Sequence, residues 1–309
     1  MASKESADLL NLYQGITRHL AEHPDASLED FRRLLEHVGD VGAEPGATDY
    51  LEVDAGGVAC LWAIPRGSCE DTVLIGVHGG GYATGSRYSH RKLYAHLAKA
   101  MGCRALIVDY RRAPENPHPG PLDDVVCAYR WLLRQGIGAD RIVIAGDSAG
   151  GALTIAAPLR GAEQGLPSPR ALIAMSPWVD MEAKGATIES NAAKDALVSR
   201  GLLDGVIAGF LGPDGDPRDP LANVLYADLS ALPPLYVQAS ADEALLADSE
   251  RVVDRARAAG VDVTFETVPR MQHIFQFMAG NAPEADAAIR NLADWALQKL
   301  GDEAVEASK

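Results

Sequence analysis

The sequence has 309 residues, 47% apolar and 23% charged, which excludes a disordered chain, a collagen-like repeat and a coiled-coil rod. Its 43 acidic and 28 basic side chains give a net charge of −15, which repels phosphate backbones and anionic lipid headgroups. We therefore expect no nucleic-acid partner and no membrane partner. The sequence contains no secretory-signal pattern and no apolar run as long as a membrane span. The four cysteines are scattered and form no C-x-x-C pair, which favours free thiols and a cytoplasmic location.

Two amphipathic helices are predicted before residue 45. Over residues 6–22, apolar side chains recur at helical three- and four-residue spacing: Leu9, Leu12, Tyr13, Ile16 and Leu20. A second helix is predicted to begin near Ser27, which forms a capping box with Asp30. The Gly- and acid-rich stretch 39–48 indicates a connector.

From about residue 49, short apolar runs alternate with helical segments, a pattern typical of a mostly parallel sheet covered on both faces. Strands are predicted at 58–64, 72–77, 104–109, 141–145, 171–175, 235–239 and 262–268. Helices are predicted near 88–101, 121–135, 149–164, 245–259 and 284–300. We expect Pro158 to kink or end its helix, because proline lacks a backbone donor. The long gap from about 177 to 232 indicates an inserted helical element.

A serine stands in a G-x-S-x-G motif, Gly146-Asp147-Ser148-Ala149-Gly150. The motif follows an apolar strand and precedes a helical segment, so it predicts a sharp turn that exposes the Ser148 hydroxyl as a nucleophile. The pentapeptide alone also fits a purely structural turn.

A glycine run, His78-Gly79-Gly80-Gly81-Tyr82, directly follows another predicted strand. Acyl-transfer enzymes need N–H donors aimed at the oxyanion of the tetrahedral intermediate. We expect Gly79 and Gly80 to supply two such donors and the Ala149 amide a third. The spacing does not fit a dinucleotide fingerprint, and the Gly-Lys-Ser/Thr of a phosphate loop is absent.

Chain order selects the partners of the serine. In hydrolases that carry the G-x-S-x-G motif on a strand-to-helix turn, the acid and then the histidine follow the nucleophile in the chain. Of the eight histidines, only His273 follows Ser148, and we assign it as the general base. Asp242, just after the strand at 235–239, is assigned as the acid. Glu243 and Asp248 are rivals, with a capping or salt-bridge role expected for Asp248. Tyr82, Asp147 and Ile274, neighbours of these motif residues, are assigned to the substrate pocket.

Taken together, these motifs resemble the hormone-sensitive-lipase-like family of bacterial carboxylesterases, within the α/β-hydrolase superfamily. The resemblance covers roughly residues 45–300. It is carried by HGGGYATG at 78–85, DYRRAPENPHPGPLDD at 109–124, GDSAGG at 146–151, SPWVD at 176–180, SADEALLADS at 240–249 and His273.

The resemblance implies an α/β fold: an α/β-hydrolase domain at 46–300, with a mostly parallel central sheet flanked by helices. A helical cap would be formed by residues 1–45 and an insertion at about 180–228. The tail 301–309 is expected to fray. The same resemblance implies Ser148, Asp242 and His273 as the triad and Gly79, Gly80 and Ala149 as the oxyanion hole.

The sequence therefore predicts a serine carboxylesterase that hydrolyses short-chain esters through an acyl-enzyme. Its partners would be a small-molecule ester and water. No metal and no organic cofactor are expected, and a homodimer is left open. The alternatives are the same triad acting on lactones or amides, and a non-catalytic hydrolase-fold receptor.

Overall fold

The apolar runs of the sequence form one mixed sheet in the computed structural model, which describes residues 2–301. Within those residues the strands are β1 Thr48–Asp54, β2 Ala59–Pro65, β3 Cys69–Val77, β4 Cys103–Val108, β5 Ile142–Asp147, β6 Ala171–Met175, β7 Leu235–Ser240 and β8 Val263–Val268. Strands β5, β6 and β7 are buried along their whole length, which explains why they read as continuous apolar runs. The α/β-hydrolase architecture expected from the sequence is confirmed.

The strand order is β1-β2-β4-β3-β5-β6-β7-β8. Strand β2 is antiparallel to β1 and to β4, and the remaining neighbours are parallel. Strand β3 pairs with both β4 and β5, so the carboxyl ends of β3 and β5 lie side by side. The loop after β3 carries the glycine run, and the loop after β5 carries Ser148. Sheet topology therefore places the two motifs next to each other.

Helices cover both faces of the sheet and extend beyond its carboxyl edge. Their bounds within residues 2–301 are α1 Ala7–Glu22, α2 Leu28–Glu36, α3 Arg91–Ala100, α4 Gly120–Arg134, α5 Ala149–Glu163, α6 Thr187–Ser190, α7 Arg200–Leu211, α8 Leu246–Ala258 and α9 Pro283–Leu300. Two hydrophobic cores lie on opposite faces of the sheet. No helix in the described part of the chain combines the length and the apolar character needed to cross a bilayer.

Helices α2 and α5 each carry a feature that the sequence singled out. The Ser27–Asp30 capping box is present, with the two residues exchanging side-chain-to-backbone hydrogen bonds at the start of α2. Of the two expectations for Pro158, a kink or an end of its helix, the second is wrong, because α5 continues to Glu163. Helix α5 is buried along most of its length, and this packing offsets the missing backbone donor. The expected fray at 301–309 lies outside the described residues, apart from Gly301.

Candidate active site

A sharp turn between β5 and α5 presents Ser148. Its backbone has φ 52° and ψ −119°, a conformation that is unfavourable for a residue with a side chain. The turn needs glycine nearby, since a Cβ on Gly150 would collide with the backbone oxygens of Val77 and His78 at the end of β3. The surrounding strands thus hold the strained turn and direct the serine hydroxyl out of the sheet.

A hydrogen-bonded chain links Ser148 to two distant loops. The Nε2 atom of His273 lies 3.0 Å from the Ser148 Oγ, and its Nδ1 atom lies 2.8 Å from the Glu243 Oε2. An ionised carboxylate can only accept, so Nδ1 donates to Glu243 and Nε2 is left to accept from the serine hydroxyl. This is the tautomer that a general base requires.

The hydrogen-bonded residues are buried, which strengthens the electrostatic interaction between the Glu243 carboxylate and the His273 ring. Glu243 is fully buried, and His273 is 3% exposed. Burial alone would lower the pKa of His273, but the hydrogen bond and the charge of Glu243 outweigh it and raise the pKa above its ordinary value of 6.5. The Glu243 carboxylate therefore favours the protonated form of the His273 ring.

The structure corrects the position expected for the acid. Asp242 does not reach His273: its carboxylate accepts from the Lys194 ammonium at 3.0 Å and from the Arg270 backbone N–H at 2.8 Å. The next residue, Glu243, is directed inward and has the longer side chain. The expectation for Asp248 is refined, since its buried carboxylate accepts from the backbone N–H groups of Val179 and Asp180.

The glycine run places donors at Ser148, with a shift of one residue from the expectation. The Gly79 amide lies 3.2 Å from the His90 Nε2 atom and Gly79 is not among the residues that line the cavity at Ser148, so the prediction that it serves the oxyanion is wrong. Gly80 and Gly81 line the same cavity as Ser148. No described residue accepts a hydrogen bond from the amides of Gly80, Gly81 or Ala149. These three N–H groups are thus available to a ligand oxygen.

A buried polar cluster of Asp147, Tyr94 and His90 lies beside the glycine run. Asp147, which precedes the serine, accepts from the Tyr94 hydroxyl at 2.6 Å and faces the His90 Nε2 atom at 3.2 Å. Burial would raise the pKa of Asp147, but His90 and Tyr94 outweigh it and keep the pKa below its ordinary value. The cluster connects the serine turn to the loop of Gly79 and fixes their relative positions.

A small cavity of about 80 Å³ lies above the serine. Its floor includes Ser148 and His273, and its walls are mostly apolar. Four wall residues precede residue 45, namely Tyr13, Phe31, Leu35 and Val38. Six more belong to the segment between β6 and β7, namely Trp178, Leu197, Val198, Leu202, Leu203 and Val206.

Two of the three expected pocket residues line this cavity. Asp147 and Ile274 are on its wall, although the Asp147 carboxylate is engaged by Tyr94 and His90. The assignment of Tyr82 is wrong. Its side chain is buried elsewhere, stacked on Phe210 with ring centroids 3.6 Å apart. The apolar wall residues of the inserted segment were not singled out from the sequence, because apolar residues of a cap and of a core look alike.

Comparisons with known proteins identify the family of this chain. A family described by the alpha/beta hydrolase fold matches residues 74–277. An acetyl-hydrolase from Streptomyces hygroscopicus is 38% identical over 259 residues, which cover 84% of this chain and 85% of the relative. An esterase from Acinetobacter venetianus is 37% identical over 224 residues, covering 72% and 74% respectively.

A solved structure described as an esterase from the bacterial hormone-sensitive lipase family is similar over almost the whole chain. Its TM-score is 0.92 at 38% identity, and the match covers 97% of this chain and 100% of the other. The fold, the motifs and these relatives agree. The chain therefore belongs to the α/β-hydrolase fold family, within its hormone-sensitive-lipase-like group, and is an enzyme of the carboxylesterase type.

Proposed function

We propose that this protein is a serine carboxylesterase that cleaves short-chain esters through an acyl-enzyme, with Ser148, His273 and Glu243 as its triad. The observation that carries the proposal is the hydrogen-bonded chain from the Ser148 Oγ through His273 to Glu243, on the floor of an apolar cavity. Three amides that no described residue engages, those of Gly80, Gly81 and Ala149, stand beside it as the proposed oxyanion hole.

In the first half of the proposed reaction, the Ser148 oxygen attacks the ester carbonyl while His273 takes the hydroxyl proton. The carbonyl oxygen becomes an oxyanion and accepts from the three amides. When the intermediate collapses, the bond to the alcohol oxygen breaks and His273 returns the proton to the leaving alcohol. In the second half, water attacks the acyl carbon while His273 takes its proton. The bond between the acyl carbon and the Ser148 oxygen then breaks, His273 returns the proton to that oxygen, and the acid is released.

The cavity supports a neutral acyl group of limited length. Bulky apolar side chains line the space above the serine, among them Phe31, Leu35, Leu202 and Leu203. We propose that residues 1–45 and 180–228 act as a cap over the serine and, by walling an apolar pocket of limited size, restrict good substrates to acyl chains of about two to eight carbons. The acetyl-hydrolase name of the Streptomyces relative supports small acyl groups.

The first test of the mechanism is covalent labelling. An organophosphate should add once per chain, on Ser148, and abolish hydrolysis of p-nitrophenyl butanoate. Ser148→Ala should lower kcat by a factor on the order of 10⁶ while leaving the thermal midpoint close to that of the wild type. Stoichiometric labelling of another residue, or turnover by the alanine variant, would refute the proposed nucleophile.

The second test is a substrate panel with graded acyl length, a lactone and an anilide. We expect kcat/KM to be highest for acyl chains of two to eight carbons and much lower for the hexadecanoate ester. A clear preference for the hexadecanoate ester would refute the cap argument. A clear preference for the lactone or the anilide would assign the same triad to lactone or amide bonds instead.

A further inference from the structure

The loop that carries Glu243 is held by side chains from the segment between β6 and β7. Asn191 donates through its Nδ2 atom to the backbone oxygen of Glu243 at 3.0 Å. Asp195 accepts from the backbone N–H of Ala244 at 2.8 Å. Both contacts engage main-chain atoms directly beside Glu243. The inserted segment therefore fixes the backbone from which this carboxylate extends.

Asp195 is itself held in place on the side away from Glu243. Its second carboxylate oxygen accepts from the backbone N–H groups of Leu197 and Val198, at 2.9 and 2.8 Å. The side chain is buried, so its orientation is fixed by three amides rather than by solvent. A carboxylate with this many donors is a rigid link between the insertion and the loop of Glu243.

The loop that carries His273 is held in the same way from the N-terminal helices. The hydroxyl of Tyr13, on α1, donates to the backbone oxygen of His273 at 2.9 Å. Tyr13 is 1% exposed and lies 260 positions away in the chain. The His273 backbone sits in an irregular turn, since Arg270 and Ile274 on either side of it have positive φ angles. Such a turn needs outside support to keep one conformation.

We propose that Tyr13 and Asp195 are positioning residues for catalysis, which hold the loops of His273 and Glu243 so that the imidazole and the carboxylate stay in register. This inference rests on the proposed triad. A carboxylate and an imidazole on separate loops keep a 2.8 Å contact only if both backbones are fixed, and small misplacements of catalytic groups cost large factors in rate. The cap would thus contribute to the catalytic step as well as to the pocket.

The test of Tyr13 removes only its hydroxyl. In Tyr13→Phe the carbonyl of His273 loses its buried donor, and we expect kcat per organophosphate-labelled Ser148 to fall by about 5- to 50-fold, with KM within about twofold. Tyr226→Phe is the matched control. The Tyr226 side chain is exposed, and its hydroxyl donates to Glu182, which is not a residue of the proposed triad or of its loops. The control should match the wild type in both constants.

The test of Asp195 adds a pH profile. The negative charges of Glu243, Asp195 and Asp147 each act to raise the pKa of His273, so each favours the imidazolium. In Asp195→Asn one of these charges is lost, so the acid limb of kcat/KM should move to lower pH by about 0.3 to 1 pH unit, with a lower plateau. Asp228→Asn is the control, since Asp228 is exposed and its carboxylate accepts from the Ser230 backbone N–H on the surface.

The outcomes separate this inference from the proposed function. Each rate is divided by the concentration of Ser148 that the organophosphate labels. Misfolded protein in a preparation therefore lowers the labelled concentration and does not lower kcat. If Ser148→Ala is inactive while Tyr13→Phe and Asp195→Asn both keep the wild-type kcat and acid limb, the positioning role is overturned and the triad stands. If Ser148→Ala keeps its activity, the proposed function itself is overturned.

Discussion

Replacing Glu243 with glutamine tests the corrected acid assignment most sharply. The change keeps the length of a fully buried side chain but removes the charge that stands 2.8 Å from the His273 Nδ1 atom. If the amide oxygen faces the ring, the tautomer survives and only the stabilisation of the imidazolium is lost. If the NH₂ group faces it, Nδ1 must accept, Nε2 carries the proton, and the ring cannot take the proton of Ser148.

These two arrangements bracket the expected loss. General base catalysis contributes about 10² to 10⁴ in rate, and loss of the correct tautomer reaches the upper end, so we expect kcat for p-nitrophenyl butanoate to fall by ~10² to ~10⁴. The thermal midpoint of the variant, compared with that of the wild type, distinguishes lost chemistry from lost folding.

Asp242→Asn is the matched control on the adjacent residue. Asp242 is partly exposed and pairs with Lys194, and an exposed pair of this kind contributes at most about 1 kcal/mol. The asparagine oxygen can still accept from the Arg270 backbone N–H, so kcat should stay within about fivefold of the wild type. A severe loss in Asp242→Asn with near-normal rates in Glu243→Gln would refute the reasoning from the hydrogen-bond geometry.

Three further predictions concern pH and the attachment of the cap. Because the pKa of His273 is raised above 6.5, kcat/KM should fall as the pH drops through that raised value, and a flat profile down to pH 4.5 would contradict its role as base. Burial raises the pKa of Asp248 from 3.8 to about 7, so the folded state binds its proton more tightly than the unfolded state, and stability falls as pH rises across that interval. In Asp248→Asn, the change in unfolding free energy between pH 5 and pH 8, measured with urea, should be reduced by about 2–3 kcal/mol, and an unchanged dependence would rule out this titration. Arg32, on α2, donates to the backbone oxygens of Ala83 and Ala113, so Arg32→Ala should lower the free energy of unfolding by about 1–3 kcal/mol and speed hydrogen exchange in α2, whereas the exposed Arg33→Ala should do neither.

The sequence predicts the sheet well wherever strands are buried on both faces, because such strands read as unbroken apolar runs. Strand β1 was missed for the opposite reason. Residues Thr48–Asp54 lie at the sheet edge, mostly exposed or half-buried, and their sequence TDYLEVD carries few apolar residues. Nothing in that local pattern separates an edge strand from a loop.

The serine and the histidine could be predicted from a motif and from chain order, but the acid could not be fixed to one residue. Asp242 and Glu243 are adjacent carboxylates, and only the path of the backbone after β7 decides which is directed inward. The glycine donors differ by one position for a similar reason. Whether Gly79 serves a ligand depends on His90, whose ring reaches the loop only in the folded chain.

The side-by-side carboxyl ends of β3 and β5 have a consequence for engineering this enzyme. After β3 the chain forms β4 on one side of β3, and it later forms β5 on the opposite side of β3. The crevice at the carboxyl ends of β3 and β5 is therefore set by strand order and needs no particular cap side chain. Wall residues such as Leu202 and Val206 can therefore be redesigned for new acyl groups without disturbing the nucleophile turn. A transplanted cap, in contrast, must bring its own equivalents of Tyr13 and Asp195, or the grafted enzyme will bind its new substrate and turn it over slowly.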